Sequence, residues 1–184
     1  DIIALLALYR PGPLDSGMVV DFIDGKNGAS EIKYPHPSLE LTLKETYGVI
    51  LYQEQVMKIA NIMANYSLGE ADLLRRAMGK KNIQIMEENR EKFVERSIAN
   101  GYTKEKAIEM FELIDKFAGY GFNKSHSAAY ALIAYWTAYF KAYYMKHYYA
   151  SLMTSEMSHV EDIAFYMEDA RAHNLKLHLP DINR

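Results

Sequence analysis

Residues 127–140 carry fourteen consecutive side chains without a formal charge. A helix that crosses a bilayer needs roughly eighteen or more apolar residues, so this run is too short for that and is expected to form a core helix. Continued into the polar residues that follow, the helical reading covers residues 125–156, roughly 45 Å at 1.5 Å per residue. Tyr130, Tyr135, Trp136, Tyr139, Tyr143, Tyr144, Tyr148 and Tyr149 lie along it. Most of these are expected in the core, because large aromatic rings bury more area than other side chains. The other helices are expected to cluster around this one. Tyr130 is the exception, placed where its ring could stack on or close over a base.

The run begins at a polar hinge, Gly119-Tyr-Gly-Phe-Asn-Lys-Ser-His-Ser127. Two glycines two apart permit turn geometries closed to other residues. A helix N-terminus supplies free N–H groups and positive potential. Gly121, Asn123, Lys124, Ser125, His126 and Ser127 therefore read as an anion site, with phosphate the expected anion. The spacing is not that of a P-loop, which needs Gly-x-x-x-x-Gly-Lys-Ser/Thr after a strand. An ordinary serine cap following a glycine cap explains the same pattern, and on spacing alone both readings stay open. His126 has no carboxylate or second histidine at metal-ligand spacing and reads equally as a buried polar residue or a ligand contact.

Elsewhere the chain is punctuated for helices. Residues 1–9 read as a helix stopped by Pro11 and Pro13. A short helix is expected from Gly17 to about Gly25, a turn at Asn27-Gly28, and a further helix over residues 38–47. The only β-like run is 49–52. From Gln53 on, helical spacing dominates. Ser67 with Glu70 and Ser158 with Glu161 form capping-box patterns, and Asn82 and Thr103 read as further N-caps. Residues 175–179 read as extended. The expected fold class is all-α, a helical cluster with at most a minimal β element.

The run Ala71-Asp-Leu-Leu-Arg-Arg-Ala-Met-Gly-Lys-Lys81 concentrates Arg75, Arg76, Lys80 and Lys81 in a chain whose net charge is −3. Adjacent arginines on a helix point about 100° apart and can grip different oxygens of one polyanion. Arg76 and Lys80, four apart, repel each other, and no acid lies between Asp72 and Glu87. Basic residues near a helix C-terminus also suit the dipole and can simply be solvated, so this alternative stays open too. Glu70 and Asp72 are expected to serve the dipole at the first turn. The absence of cysteine excludes disulfides and thiolate chemistry. No paired carboxylates or Ser/His/Asp set are recognisable, so the chain reads as an anion binder without catalytic equipment of its own. A sequence that opens on Asp1 in mid-pattern is expected to be a piece of a longer protein.

Four motifs occur in order: Arg10-Pro-Gly-Pro-Leu14, Gly48-Val-Ile-Leu-Tyr-Gln-Glu-Gln-Val-Met57, Leu73-Leu-Arg-Arg-Ala-Met-Gly-Lys-Lys81 and Tyr120-Gly-Phe-Asn-Lys-Ser-His-Ser-Ala-Ala-Tyr130. Together they closely resemble the fingers of the alpha subunit of bacterial DNA polymerase III, the C family of polymerases, over essentially all 184 residues. The resemblance implies fingers over residues 1–174 and the start of a connection to the next domain over 175–184. It implies that Arg75 and Arg76 grasp the triphosphate of an incoming deoxynucleotide, with Lys80 and Lys81 nearby. Gly121, Asn123, Lys124, Ser125 and His126 would line the nucleotide pocket, and Tyr130 would approach the base or sugar. The catalytic aspartates that hold Mg2+ belong to the family's palm, which precedes the fingers, so no catalytic or metal-binding residue is assigned here and the fragment alone is expected to be inactive. Implied partners are a DNA primer-template, the dNTP, the palm and thumb, the sliding clamp and other replisome subunits, in the bacterial cytoplasm and away from membrane. The alternative is an independent helical module that binds nucleic acid or protein.

Overall fold

Val56, Ile59, Ala60, Met63 and Ala64 recur at helical spacing, and they form the buried stripe of the helix on which the first half of the protein is built. The computed structural model describes residues 1–80, 83–118 and 121–178; the side chains at 79, 80, 83 and 118 are not described. Lys81, the Asn82 cap, the Gly119-Tyr120 half of the hinge and the 179–184 tail lie outside the described residues, as does the side chain of Lys80. Among the described residues there are eleven helices and no strand. The all-α expectation therefore holds, with a single isolated parallel bridge between Tyr52 and Phe122 as the β element near residue 52. No described helix is long and apolar enough to cross a membrane. The chain forms two compact units, Asp1–Tyr130 and Ala131–Arg184.

In the first unit, α1 (Ile2–Leu8), α2 (Pro11–Asp15), α3 (Met18–Asn27) and the one-turn α4 (Glu40–Leu43) lead to α5 (Gln53–Ala64), α6 (Leu68–Lys80), α7 (Ile83–Ala99) and α8 (Lys104–Ala118). Around the α5 stripe pack Leu74 and Met78 of α6, Phe93 of α7, and Met110, Phe111, Ile114 and Phe117 of α8. Each such side chain, fully buried, contributes roughly 1.5–3 kcal/mol. A smaller cluster joins Ala4, Ala7 and Leu8 of α1 to Phe22 of α3 and to Leu51 and Tyr52. It holds the segment entering α5 against the N-terminal helices.

Two of the helix starts read from sequence form as expected. Ser67 and Glu70 make the full capping box: the Ser67 N–H donates to Glu70 Oε2 at 2.9 Å and the Glu70 N–H to Ser67 Oγ at 3.3 Å. The Lys106 N–H donates to Thr103 Oγ1 at 3.2 Å, capping α8. Pro11 and Pro13 do not leave a bare stop. Pro11 opens α2 at a first-turn position, where the missing N–H has no partner to lose. Residues 38–47 do not form one helix: 3-10 turns at Pro37–Leu39 and Lys44–Thr46 flank α4. The segment ends in Tyr47 at φ 53° and Gly48 at φ 86°. A Cβ on Gly48 would stand 2.5 Å from the Lys33 carbonyl oxygen.

The long helix differs from expectation in two ways. It is α9 (Lys124–Tyr143), interrupted at Tyr144 (φ −133°, ψ 41°) and followed by α10 (Met145–Ser155). Its aromatics are not mostly core: Tyr130, Tyr135, Trp136, Tyr139, Phe140, Tyr143 and Tyr144 are exposed, Tyr148 is half-buried, and Tyr149 is buried. The core of the first unit is organised around α5 instead. In the second unit, α11 (Val160–Ala172) packs on α10. Asp169 of α11 accepts hydrogen bonds from Lys141 Nζ at 2.7 Å and from the Tyr149 hydroxyl, which hold its carboxyl below the ordinary range. The Ser158–Glu161 box does not form. The helix begins one residue late, with His159 as N-cap and no side-chain cap hydrogen bond.

Candidate functional site

Arg75 and Arg76 extend from α6 and share one carboxylate. Arg75 Nε donates to Asp72 Oδ1 at 2.9 Å, its Nη2 lies 2.8 Å from the same oxygen, and Arg76 Nε donates to Oδ2 at 2.7 Å. Asp72 thus relieves the adjacent cations from one turn earlier, beyond the dipole role expected of it. The Arg75 hydrogen bond is the leading cause that holds the Asp72 carboxyl below its usual range, with Arg76 adding to it. Two cations against one anion leave a net positive pair. Arg76 is the more exposed, 65% against 31% for Arg75. It lines an open cleft of about 550 Å³ with Glu70, Leu73, Ile85, Glu88 and Lys92.

The other face is the turn into α9, clamped by the start of α5. The Gln53 backbone N–H donates to the Phe122 carbonyl at 2.9 Å, and its side-chain Nε2 donates to the Gly121 carbonyl at 3.1 Å. A Cβ on Gly121 would come within 2.7 Å of the Phe117 ring and 3.2 Å of Gln53 Cγ. Glycine is needed at 121 for space. Asn123, rather than Ser125, caps α9, its Oδ1 accepting the His126 N–H at 2.8 Å. The N–H of Lys124 donates to both oxygens of Glu54 at 3.1 Å, and Asn123 Nδ2 donates to Glu54 Oε1 at 3.1 Å. A carboxylate therefore occupies the position at the N-terminus of α9 that the sequence suggests for phosphate. Lys124 Nζ is paired with Glu45 at 2.6 Å. Lys124 is thus engaged by two carboxylates, Glu54 at its N–H and Glu45 at its Nζ.

The remaining hinge residues fall into two groups. Ser127 is buried, and its hydroxyl donates to the Ile3 carbonyl at 2.7 Å, tying α9 to α1. Ser125, His126 and Tyr130 are exposed. The His126 ring packs between Phe122 at 5.5 Å and Tyr130 at 4.5 Å, and the Arg10 guanidinium lies 4.3 Å over the Phe122 ring. This series of aromatic faces ends on a cation whose pKa burial lowers. The Tyr52 hydroxyl, beneath Lys124, is pushed up to about 12 by burial first and then by Glu45 and Glu54.

Gln53 joins the two faces. Its Oε1 accepts from Arg75 Nη1 at 3.4 Å while its Nε2 holds Gly121. Arg75 and the turn at Gly121 therefore share one region of the first unit. Spacing gave no role to Gln53, Glu54, Glu45 or Arg10, and gave Asp72 only the helix dipole. The available signal was the dense polar run Tyr52-Gln-Glu-Gln55 at a helix start directly after the β-like segment.

Comparison with known proteins decides the family. The model of the bacterial DNA polymerase III alpha subunit finger domain matches residues 1–101. The chain belongs to this family. It is 55% identical over 184 residues to the DNA polymerase III subunit alpha of Campylobacter jejuni. It is 53% identical over 183 residues to that of Helicobacter pylori and 52% identical over 188 residues to that of Escherichia coli K12. Each match covers 100% of this chain and 15–16% of the relative, so the chain spans about 15% of the length of the relatives it matches. All four motifs of the sequence lie within the stretch these relatives share.

The Mg2+ expected of a polymerase finds no fit among the described side chains of this finger-domain chain. One group of three potential ligands comes together, Glu156, His159 and Asp162 in the second unit. It contains a histidine whose Nδ1 is 2.9 Å from Glu156 Oε2, and His159 and Asp162 are exposed. A pair of magnesium ions in phosphoryl transfer calls for oxygen ligands on a substrate-facing wall. The Glu156–His159–Asp162 group does not match that set.

Proposed function

We propose that this chain serves as the fingers of a DNA-directed DNA polymerase, gripping the triphosphate of the incoming dNTP at the primer end of a DNA primer-template. Arg75 and Arg76 are the principal grip. Phosphoryl transfer depends mostly on positioning and on neutralising charge, which two arginines supply without a base of their own. The observation that carries the reading is the net positive Asp72–Arg75–Arg76 group, joined through Gln53 to the Gly121 turn within a chain of the finger-domain family. Lys80 and Lys81 extend the same basic run and are assigned to the same polyanion.

The turn residues take a secondary role in this proposal. Gly121 and Asn123 shape the pocket wall, and Ser125, His126 and Tyr130 face the sugar and base. Lys124 reaches a phosphate only by leaving Glu45. The Mg2+ ions of the reaction would be held by palm carboxylates outside this chain. The sliding clamp and other replisome subunits would be partners of the full polypeptide. Residues 1–174 are proposed as the fingers and 175–184 as the start of the connection onward. In a full-length alpha subunit carrying this chain, Arg75→Ala or Arg76→Ala should raise the nucleotide KM and slow incorporation in steady-state primer extension. Wild-type kinetics in both would leave only a solvated helix face. The chain alone should extend no primer.

A further inference from the structure

We infer that Gln53 is a positioning residue that couples the turn before α9 to Arg75; this rests on the nucleotide reading above. Gln53 opens α5 and bonds through its backbone N–H and both ends of its side-chain amide. Its backbone N–H and side-chain Nε2 donate to the carbonyls of Phe122 and Gly121, at 2.9 and 3.1 Å, and its Oε1 accepts from Arg75 Nη1 at 3.4 Å. The orientation of the amide is fixed by chemistry. A carbonyl can only accept and a guanidinium can only donate, so a flipped amide would lose both bonds.

Arg75 is thereby held along two directions. Its Nε and Nη2 face Asp72 Oδ1, and its Nη1 faces Gln53. Of the five guanidinium N–H groups, these contacts take one on each nitrogen, so two remain for a further acceptor. The two bonds from Gln53 to the turn complete the linkage. The lack of a side chain at Gly121 permits this close approach, since an added Cβ would lie 3.2 Å from Gln53 Cγ. A shift of the turn therefore moves Gln53, and Gln53 moves the guanidinium. At 3.4 Å the bond to Arg75 is longer than the contacts of Arg75 to Asp72, at 2.9 and 2.8 Å. Gln53 need not touch the nucleotide. Its effect on binding passes through Arg75.

A double-mutant cycle in the full-length alpha subunit tests this, with the dNTP as titrant. Gln53→Leu should raise the nucleotide KM roughly fivefold, the scale of coupling between directly interacting residues, and change kcat less. In an Arg75→Ala background, Gln53→Leu should have no further effect on KM. The same factor in both backgrounds would make Gln53 a purely structural residue and overturn the inference, as would an unchanged KM in Gln53→Leu alone. If Arg75→Ala by itself leaves KM unchanged, the nucleotide reading falls first, and that arm is read without Gln53. Thermal melting of each variant checks the fold. Should Gln53→Leu unfold, Gln53→Met is unbranched, keeps the chain length and carries the same expectations.

Discussion

Replacing Glu54 by glutamine separates two roles that the turn into α9 could have. Glu54 accepts the Lys124 N–H on both oxygens at 3.1 Å and the Asn123 amide at 3.1 Å, so its charge sits at the positive end of a twenty-residue helix. A carboxylate at a helix N-terminus contributes about 0.3–1 kcal/mol when exposed and up to about 2 kcal/mol when partly buried. Glu54 is half-buried. Glutamine keeps one acceptor but removes the charge, so Glu54→Gln should destabilise the chain by about 1–2 kcal/mol, read as a lower urea midpoint at unchanged slope. The same change removes the anion that competes for the α9 N-terminus. If that turn receives a phosphate, the dNTP affinity of the full-length protein should rise while stability falls. Lower stability with unchanged affinity would confine the turn to a structural joint and leave the triphosphate to Arg75 and Arg76. Unchanged stability would refute the cap itself.

Other perturbations test the packing. Gly121→Ala puts a methyl group 2.7 Å from the buried Phe117 ring, so equilibrium denaturation should show a loss of about 1–3 kcal/mol from overpacking. Ile59→Ala on α5 should cost about 2–5 kcal/mol by the same assay, whereas Leu132→Ala on α9, at a position 47% exposed, should stay within about 0.5 kcal/mol; the reverse order would return the core to α9. The Glu70 carboxyl is held well below its ordinary value, mainly by Lys92 and then by the Ser67 N–H and Arg96. Its folded-state pKa is depressed, so its stabilisation is present above the unfolded-state value of 4.5 and is lost as pH falls below it. The gap in urea midpoint between wild type and Glu70→Gln should therefore narrow on acidification from pH 5 toward pH 3.

The parts of the fold legible from sequence are those set within one helical turn. Ser67 with Glu70, and Thr103 with Lys106, needed only the spacing of a cap and its N–H partner. Ser158 with Glu161 had the same spacing and failed, because α11 begins at Val160. That makes His159 the N-cap and moves the third helical position to Asp162. Burial of α9 was illegible for another reason. A run with no charge on any face has no amphipathic asymmetry to mark an inner side, and the tyrosines that fill it tolerate exposure through their hydroxyls. The end of the 38–47 segment is set by Tyr47 and Gly48 at positive φ, and the Lys33 carbonyl lies where a Cβ on Gly48 would be.

The candidate site was legible in its charges and illegible in its connections. Two adjacent arginines and a polar turn stand out in any reading of the chain. Their link runs through Gln53, 22 residues from Arg75 and 68 from Gly121, and no local period encodes such pairings. The occupation of the α9 N-terminus by Glu54, 70 residues from Lys124, is of the same kind. A free helix end is only an apparent anion site until the tertiary fold shows which carboxylate reaches it.

The most direct measurement is a structure of the full-length alpha subunit bearing this chain, with primer-template and an incoming nucleotide bound. The account predicts triphosphate oxygens within about 3.2 Å of guanidinium nitrogens of both Arg75 and Arg76, with Gln53 still spanning Arg75 and the Gly121 carbonyl. A triphosphate seated elsewhere, with both arginines still turned onto Asp72, would contradict it.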